Sequence, residues 1–373
     1  MEYQKRYITD QVATDLNQKM VFIGGPRQVG KTTLAQHFLP NTQLGYLNWD
    51  IPMHREAILK RELPDTPIWV FDEIHKYKKW RDFLKGLYDQ YHHQRKILVT
   101  GSARLDYYRY GGDSLQGRYY FLRLNPLSVG ELHLQSMEEV QTLLTLGGFP
   151  EPYFSGKEID AKRWSREYRQ RLIQEDLVSL EHVKDIQSLE LLMLRLPELV
   201  GSPLSINSLR KDLQVSHATL SNWLDIFTRL YAIFRLSPFG SSRLRAVKKE
   251  QKHYHYDWTL IDNPGTRFEN MVAMHLLKWV QFEQDTKARN LDLCYFRDID
   301  GREIDFVITE NKQPLTAIEC KWSDTEISKS LHYFKKRFPQ CAAWQISMTG
   351  TKNYLSTQDI RVAPALELLQ QLI

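Results

Sequence analysis

Residues 25–33, Gly25-Pro26-Arg27-Gln28-Val29-Gly30-Lys31-Thr32-Thr33, carry G-x-x-x-x-G-K-[ST] at every fixed position. Such a loop binds phosphate because its glycines let several backbone N–H groups turn toward one anion, and the helix that follows adds its positive end. In that arrangement Lys31 reaches the β- and γ-phosphates of ATP, and the Thr32 hydroxyl ligates Mg2+. Further along, the apolar run IWVFDE ends in Asp72 and Glu73. Asp72 is placed to hold the same ion through water, and Glu73 to orient or activate the attacking water. KILVTGSAR offers the hydroxyls of Thr100 and Ser102 beside the nucleotide, at the strand edge where open α/β sheets bind ligands. Arg118, in SLQGRYYF, opens a strand. It either stabilises phosphoryl-transfer charge on a neighbouring protomer or makes a surface ion pair.

A second set of chemical groups lies in residues 301–322, GREIDFVITENKQPLTAIECKW. Two apolar runs flank a polar stretch with Asn311, Lys312 and Pro314, which predicts a hairpin. Alternation along strands puts Glu303 and Asp305 on one face, and Glu319 and Lys321 on one face. Ionised groups inside strands are costly unless paired or bound to metal. The hairpin is therefore either a metal site or an ion-pair cluster. Glu269, on the helix before it, is a further acidic ligand, and Glu303 either joins the metal set or pairs with Lys321.

Positioning these groups requires three regions. In residues 1–150 the strand-like runs KMVFIGG, LGYLNWD, IWVFDE, KILVTGS and YYFLRL alternate with helical stretches at 31–38 and 80–92, which predicts a parallel sheet covered on both faces. Residues 151–240 read as helical, with a buried helix, LELLMLRLPEL, cut at Pro197. Within them, 205–236 predicts three short helices and a strand. LRKDLQVSHATLSNWLDIF has the rhythm of a helix-turn-helix: Leu209, Leu213, Leu220, Trp223 and Leu224 face inward and Val215 lies in the turn. His217, Thr219, Ser221 and Asn222 face outward, able to contact phosphates or base edges. A basic stretch follows, with Arg243, Arg245, Lys248, Lys249 and Lys252. Residues 241–373 predict a helix (RFENMVAMHLLKWV), the strand LCYFRD, the hairpin, a helix near 326–337, the strand AAWQIS and an amphipathic tail. His253 and His255 are expected at a solvated edge.

Composition narrows the class. With 42% hydrophobic and 25% charged residues the chain reads as globular, and a net charge of +5 permits nucleic-acid binding without requiring it. Cys294, Cys320 and Cys341 form no zinc or disulfide spacing. The polar N-terminus and the lack of long apolar runs point to the cytoplasm and away from membranes.

The glycine loop, the Asp72–Glu73 pair, TGSAR, LQGR and PLSVGEL (126–132) together resemble the AAA+ class of P-loop ATPases, and within it a prokaryotic family with a C-terminal domain of unknown function. The resemblance runs through GGFPEP to the hairpin. It implies a core sheet of order 5-1-4-3-2. Asp305 followed by Glu319-x-Lys321 is similar to the motif of PD-(D/E)xK nucleases, the restriction-endonuclease-like fold, with Ile304 where that motif has Pro. That likeness implies an αβββαβ order, Asp305 and Glu319 holding Mg2+, and Lys321 positioning or activating water. The expected fold class is α/β: an AAA+ P-loop core, a helical region with a winged helix, and a restriction-endonuclease-like domain. ATP and Mg2+ are the expected cofactors. Double-stranded DNA, a protein partner and a second copy of the chain are the partners left open. The expected function is ATP hydrolysis coupled to DNA, with or without cutting it; the alternative is an ATP-switched binder of a protein partner whose nuclease-like domain is inactive.

Overall fold

The computed structural model describes residues 4–40, 42–101, 115–173, 185–240 and 251–373. The chain divides into two compact units, residues 1–125 and 126–373.

Among its described residues the first unit is built on five parallel strands, β1 (Met20–Gly24), β2 (Tyr46–Asn48), β3 (Ile68–Asp72), β4 (Lys96–Thr100) and β5 (Tyr119–Arg123), in the order β2-β3-β4-β1-β5. This is the expected 5-1-4-3-2 order read from the other edge. MVFIG and IWVFD are buried along their whole length. Strands covered on both faces read as continuous apolar runs, which is why they were visible in sequence. The helix Lys31–His37 follows β1. The helix Trp80–Tyr91 buries Trp80, Phe83, Leu84 and Leu87, spaced to form one apolar stripe. Its side chains join Phe22, Trp69, Phe71 and Val99 in a single core.

Among its described residues the second unit carries eight further strands: β6 (Ile233–Pro238), β7 (Lys252–His255), β8 (Leu291–Arg297), β9 (Glu303–Glu310), β10 (Gln313–Lys321), β11 (Ala342–Ser347), β12 (Tyr354–Leu355) and β13 (Ile360–Pro364). Their order is β12-β13-β11-β10-β9-β8-β6-β7. No break in compactness falls at 240, because β6 pairs in parallel with β8 through Ser237 and Cys294. The helix Pro264–Lys287, then β8, β9 and β10, the helix Lys329–Arg337 and β11 follow the expected α-β-β-β-α-β order. β9 and β10 form the hairpin, turning at Asn311 and Lys312, both with positive φ (51° and 69°). Consecutive left-handed residues give the tight turn that suits two twisted strands.

Residues 205–236 contain two helices rather than three, Ile206–Asp212 and His217–Arg229, followed by β6. Ser205 and Ser216 cap them by accepting from backbone N–H groups of Ser208 and Thr219, and Gln214 takes the left-handed turn conformation between them. Pro197 ends the preceding helix, Ile186–Arg195, in a 3-10 turn, as expected.

His253 and His255 correct the sequence reading. They are 0% and 2% exposed, not solvated. Although KHYH reads as polar, β7 pairs with β6, and the His253 ring bonds the Leu196 carbonyl at 2.8 Å. Burial pushes the His253 ring down to about 4, so it is neutral at physiological pH.

Among the described residues no helix is long and apolar enough to cross a membrane. One buried ion pair anchors the long helix of this unit. Lys278 donates to Glu131 Oε2 at 2.5 Å, Ser128 Oγ at 2.7 Å and the Pro126 carbonyl at 3.1 Å. Both charged side chains are almost wholly buried. Lys278→Ala is therefore expected to destabilise the second unit by about 3–5 kcal/mol in denaturant unfolding, since it removes the buried countercharge of Glu131. Replacing both residues by Met should cost far less; equal losses in the single and double variants would contradict that cause.

Candidate functional site

The phosphate loop leaves β1 at Gly24. Gly25 has φ 140°, and a Cβ there would sit 2.2 Å from the Leu124 carbonyl oxygen, so no other residue fits. Gly30 (φ 99°) and Gln28 (φ 57°) complete the turn into the helix Lys31–His37. Arg6, buried and distant in sequence, donates to the carbonyls of Val29 (2.5 Å) and Asn125 (2.6 Å), tying the loop to the chain after β5. Lys31 donates to the carbonyls of Gly25 (2.9 Å) and Pro26 (2.5 Å). Arg27 is half-buried and Thr33 exposed on the first turn.

Asp72, at the end of β3, is buried and accepts from three hydroxyls. Thr32 Oγ1 reaches its Oδ2 at 2.9 Å, the Tyr46 hydroxyl reaches the same oxygen at 2.6 Å, and Thr100 Oγ1 reaches Oδ1 at 2.7 Å. The register makes this possible, because Asp72 pairs with Asn48 of β2 and Thr100 of β4. Burial, and then the Asp72 hydrogen bond and charge, push the Tyr46 hydroxyl up, so it stays protonated and donating. A hydroxyl and a carboxylate joined by a hydrogen bond are hard oxygen donors of the kind that suit Mg2+ alongside phosphate.

Glu73 sits in the left-handed region (φ 55°) and donates its N–H to the Thr100 carbonyl. Its Oε2 lies 3.4 Å from Lys76 Nζ and 3.5 Å from His75 Nε2. Burial raises its pKa, against the pull of Lys76. Arg118 forms an ion pair with Asp89 at 2.8 Å, the second of the roles open to it in sequence. Ser102 lies outside the described residues, as do Arg243, Arg245, Lys248 and Lys249.

In the second unit Asp305, Glu319, Lys321 and Glu269 come together with two residues that sequence reading missed. Lys252, read in sequence as part of the basic stretch, is 0% exposed, at the start of β7. Its ammonium lies 2.6 Å from Glu303 and 3.8 Å from Glu269. Glu303 thus pairs with Lys252, and more loosely with Arg297 at 3.7 Å, instead of with Lys321. The Tyr254 hydroxyl donates to Glu269 at 2.8 Å. Lys321 pairs with Glu319 Oε1 at 2.8 Å, while Glu319 Oε2 is buried with no hydrogen-bond partner. Asp305 Oδ2 accepts from the Cys320 N–H at 2.8 Å. Burial, and then the Asp305 charge, push Glu269 up to about 8 and Glu319 up to about 7. Among the described residues no three His, Cys, Asp or Glu side chains converge to hold a metal by themselves. Asp305 and Glu319, with one orphaned oxygen, fit an ion that keeps several waters, which is how Mg2+ is usually held.

On the helix His217–Arg229, His217 and Asn222 are exposed and Thr219 and Ser221 half-buried. The Thr219 hydroxyl is engaged with Ser216.

Residues 17–133 match a family described as an AAA domain, 137–263 a domain of unknown function (DUF8612), and 264–368 another (DUF4143). The first unit is accordingly a P-loop AAA+ core of the ATPase type. The chain is 23% identical over 300 residues to an uncharacterized protein, MJ1544, of Methanocaldococcus jannaschii, covering 74% of this chain and 66% of that one, just under two thirds of its length. It is 22% identical to an uncharacterized protein, Rv2008c, of Mycobacterium tuberculosis, covering 84% and 72%. Solved structures similar to it include the Thermotoga maritima RuvB Holliday junction branch migration motor, at 18% identity and TM-score 0.30, covering 61% of this chain and 88% of that one. The Aeropyrum pernix ORC1 protein in complex with DNA matches at 13% identity and TM-score 0.35, covering 72% and 93%.

The raised carboxylates give the second unit a pH dependence of definite sign. A carboxyl whose folded pKa lies above its ordinary value of 4.5 favours folding while protonated, and that contribution is lost as pH rises through about 7 for Glu319 and about 8 for Glu269. In chelator, the melting temperature of this unit should fall by about 2–6 °C between about pH 6 and about pH 8.5. Glu319→Gln should flatten the slope, and an unchanged slope in that variant would refute the assignment.

Proposed function

We propose that the chain is a Mg2+-dependent ATPase that acts on DNA, and that the hairpin of its second unit is a metal-dependent phosphodiester-cleaving site of the PD-(D/E)xK type. The observation that carries the ATPase reading is the Thr32–Asp72 hydrogen bond at 2.9 Å, at the foot of a loop whose positive-φ glycines free its N–H groups for phosphate. When bound, Mg2+ would neutralise part of the phosphate charge. The protein does the rest. Gly25–Gly30 cradle the phosphates, and Lys31 exchanges the Gly25 and Pro26 carbonyls for phosphate oxygens. Thr32 and Asp72 present hard oxygens to the ion. Glu73, whose pKa burial raises toward that of a useful base, takes the proton of the attacking water. Thr100 stands beside the γ-phosphate, and Arg118 contributes charge to a neighbouring copy of the chain once it is freed from Asp89.

DNA engagement is supported by the two helices with exposed His217 and Asn222, by the antiparallel β6–β7 pair that follows them in the manner of a winged helix, and by the basic residues 243–249. The α-β-β-β-α-β order and the orphaned Glu319 oxygen support the nuclease-type site, with Lys321 beside it to position water. A second reading is favoured by one observation. Lys252 and Lys321 already neutralise part of the cluster, as they would in an ATP-switched binder of a protein partner whose hairpin charges are structural.

Lys31→Ala should abolish ATP turnover and weaken nucleotide binding; wild-type turnover would remove the loop assignment. Glu73→Gln should retain bound ATP while hydrolysing it at least about 100-fold more slowly, and rapid turnover there would give the water to another residue. With labelled DNA and Mg2+ or Mn2+, cleavage lost in both Asp305→Ala and Lys321→Ala, with ATPase activity retained, is the result expected of a nuclease. ATP turnover without cleavage, and a protein recovered only in one nucleotide state, is the result the second reading expects.

A further inference from the structure

Four carboxylates, Glu269, Glu303, Asp305 and Glu319, meet two ammonium groups, Lys252 and Lys321, and the pairing between them is uneven. Lys252 is sealed from water, lies 2.6 Å from Glu303 and 3.8 Å from Glu269, and stands 5.5 Å from the centre of the Tyr295 ring. Tyr254 donates to the Glu269 oxygen that faces Lys252, so this carboxylate is held from two sides. A buried ammonium needs such counterions, because an uncompensated charge costs several kcal/mol or more in a dry site. Burial alone would push Lys252 down, but the charges of Glu269, Asp305 and Glu303 outweigh it and keep the group raised and cationic. On the other side, Lys321 engages only Oε1 of Glu319, a residue 6% exposed, and leaves Oε2 buried without a partner. Asp305 beside it uses Oδ2 for the Cys320 amide.

We propose that Lys252 is a built-in cation that claims Glu303 and Glu269 as its counterions, so that Asp305 and Glu319 alone seat a divalent ion and the hairpin binds one such ion per chain. Sites that hold two ions keep them about 3.5–4 Å apart with carboxylates serving both. Here the carboxylates that would serve a second ion are committed to Lys252, and its charge opposes another cation nearby. Lys252 and Tyr254 are thus positioning residues, and Glu269 and Glu303 lie outside the ligand set. This single-ion site presupposes the metal-dependent reading of the hairpin.

The test is Mn2+ binding to the nucleotide-free full chain, read as free Mn2+ by electron paramagnetic resonance. Wild type should bind one ion that is lost, with affinity down at least about tenfold, in Asp305→Asn and in Glu319→Gln. Glu303→Gln and Glu269→Gln should keep that ion. Lys252→Met, of similar length but uncharged, should admit a second ion that disappears when Glu303→Gln is added. Two hairpin-dependent ions in wild type, loss of the single ion in Glu303→Gln or Glu269→Gln, or a folded Lys252→Met that still binds one ion would each overturn the proposal. The two glutamate variants decide the matter even where Lys252→Met does not fold. A wild type that binds no Asp305-dependent ion would instead sink the metal-dependent reading itself.

Discussion

Everything in the first unit converges on one carboxylate. Asp72 sits where β3 ends, between β2 and β4, and takes hydroxyl hydrogen bonds from Tyr46, Thr32 and Thr100. These donors come from a neighbouring strand on either side and from the first turn after the phosphate loop. A buried anion is tolerated only when such donors satisfy it. The arrangement fixes the loop's hydroxyl against the strand end, and it does so only if the sheet order and register are those observed. Shifting any of the three strands by one residue would turn the donor to the opposite face. Arg6 adds a second constraint by holding the Val29 carbonyl, so the loop is pinned at both its apex and its foot.

The second unit solves a harder electrostatic problem. Its hairpin carries charge into the interior, and Lys252, Tyr254, Lys321 and the Cys320 amide each meet part of that demand. The compensation is incomplete, which is why Glu269 and Glu319 are pushed up and one oxygen is left without a partner. Structural ion pairs elsewhere in the unit, such as Lys278 with Glu131, leave no comparable deficit, since that ammonium also meets Ser128 and the Pro126 carbonyl. The contrast separates a charge cluster built for packing from one with capacity left over.

Much of this was legible in sequence because the relevant signals are local. The glycine loop, the apolar runs of β1 and β3, and the Asp72–Glu73 pair need only neighbouring residues to be read. The hairpin with its Asn311–Lys312 turn was equally plain. The partners that complete each site were not, because Tyr46, Arg6, Lys252 and Tyr254 reach it from elements far along the chain. His253 and His255 were misread for a related reason. Their polarity suggested solvent, and only the pairing of β7 with β6 reveals that they are enclosed. The third helix expected in 205–236 is absent because Tyr231 (φ 57°) turns the chain directly into β6.

The central claim is that Asp72 and Thr32 form the metal-side half of a working nucleotide site. Its most direct test is equilibrium binding of ATP to Asp72→Asn and wild type, with Mg2+ and with chelator, by calorimetry. The account predicts that Mg2+ tightens ATP binding to wild type, that Asp72→Asn loses most of this gain, and that metal-free affinity is nearly equal in the two. Undiminished tightening by Mg2+ in Asp72→Asn would contradict it, because the ion would then be held without the carboxylate around which the unit is organised.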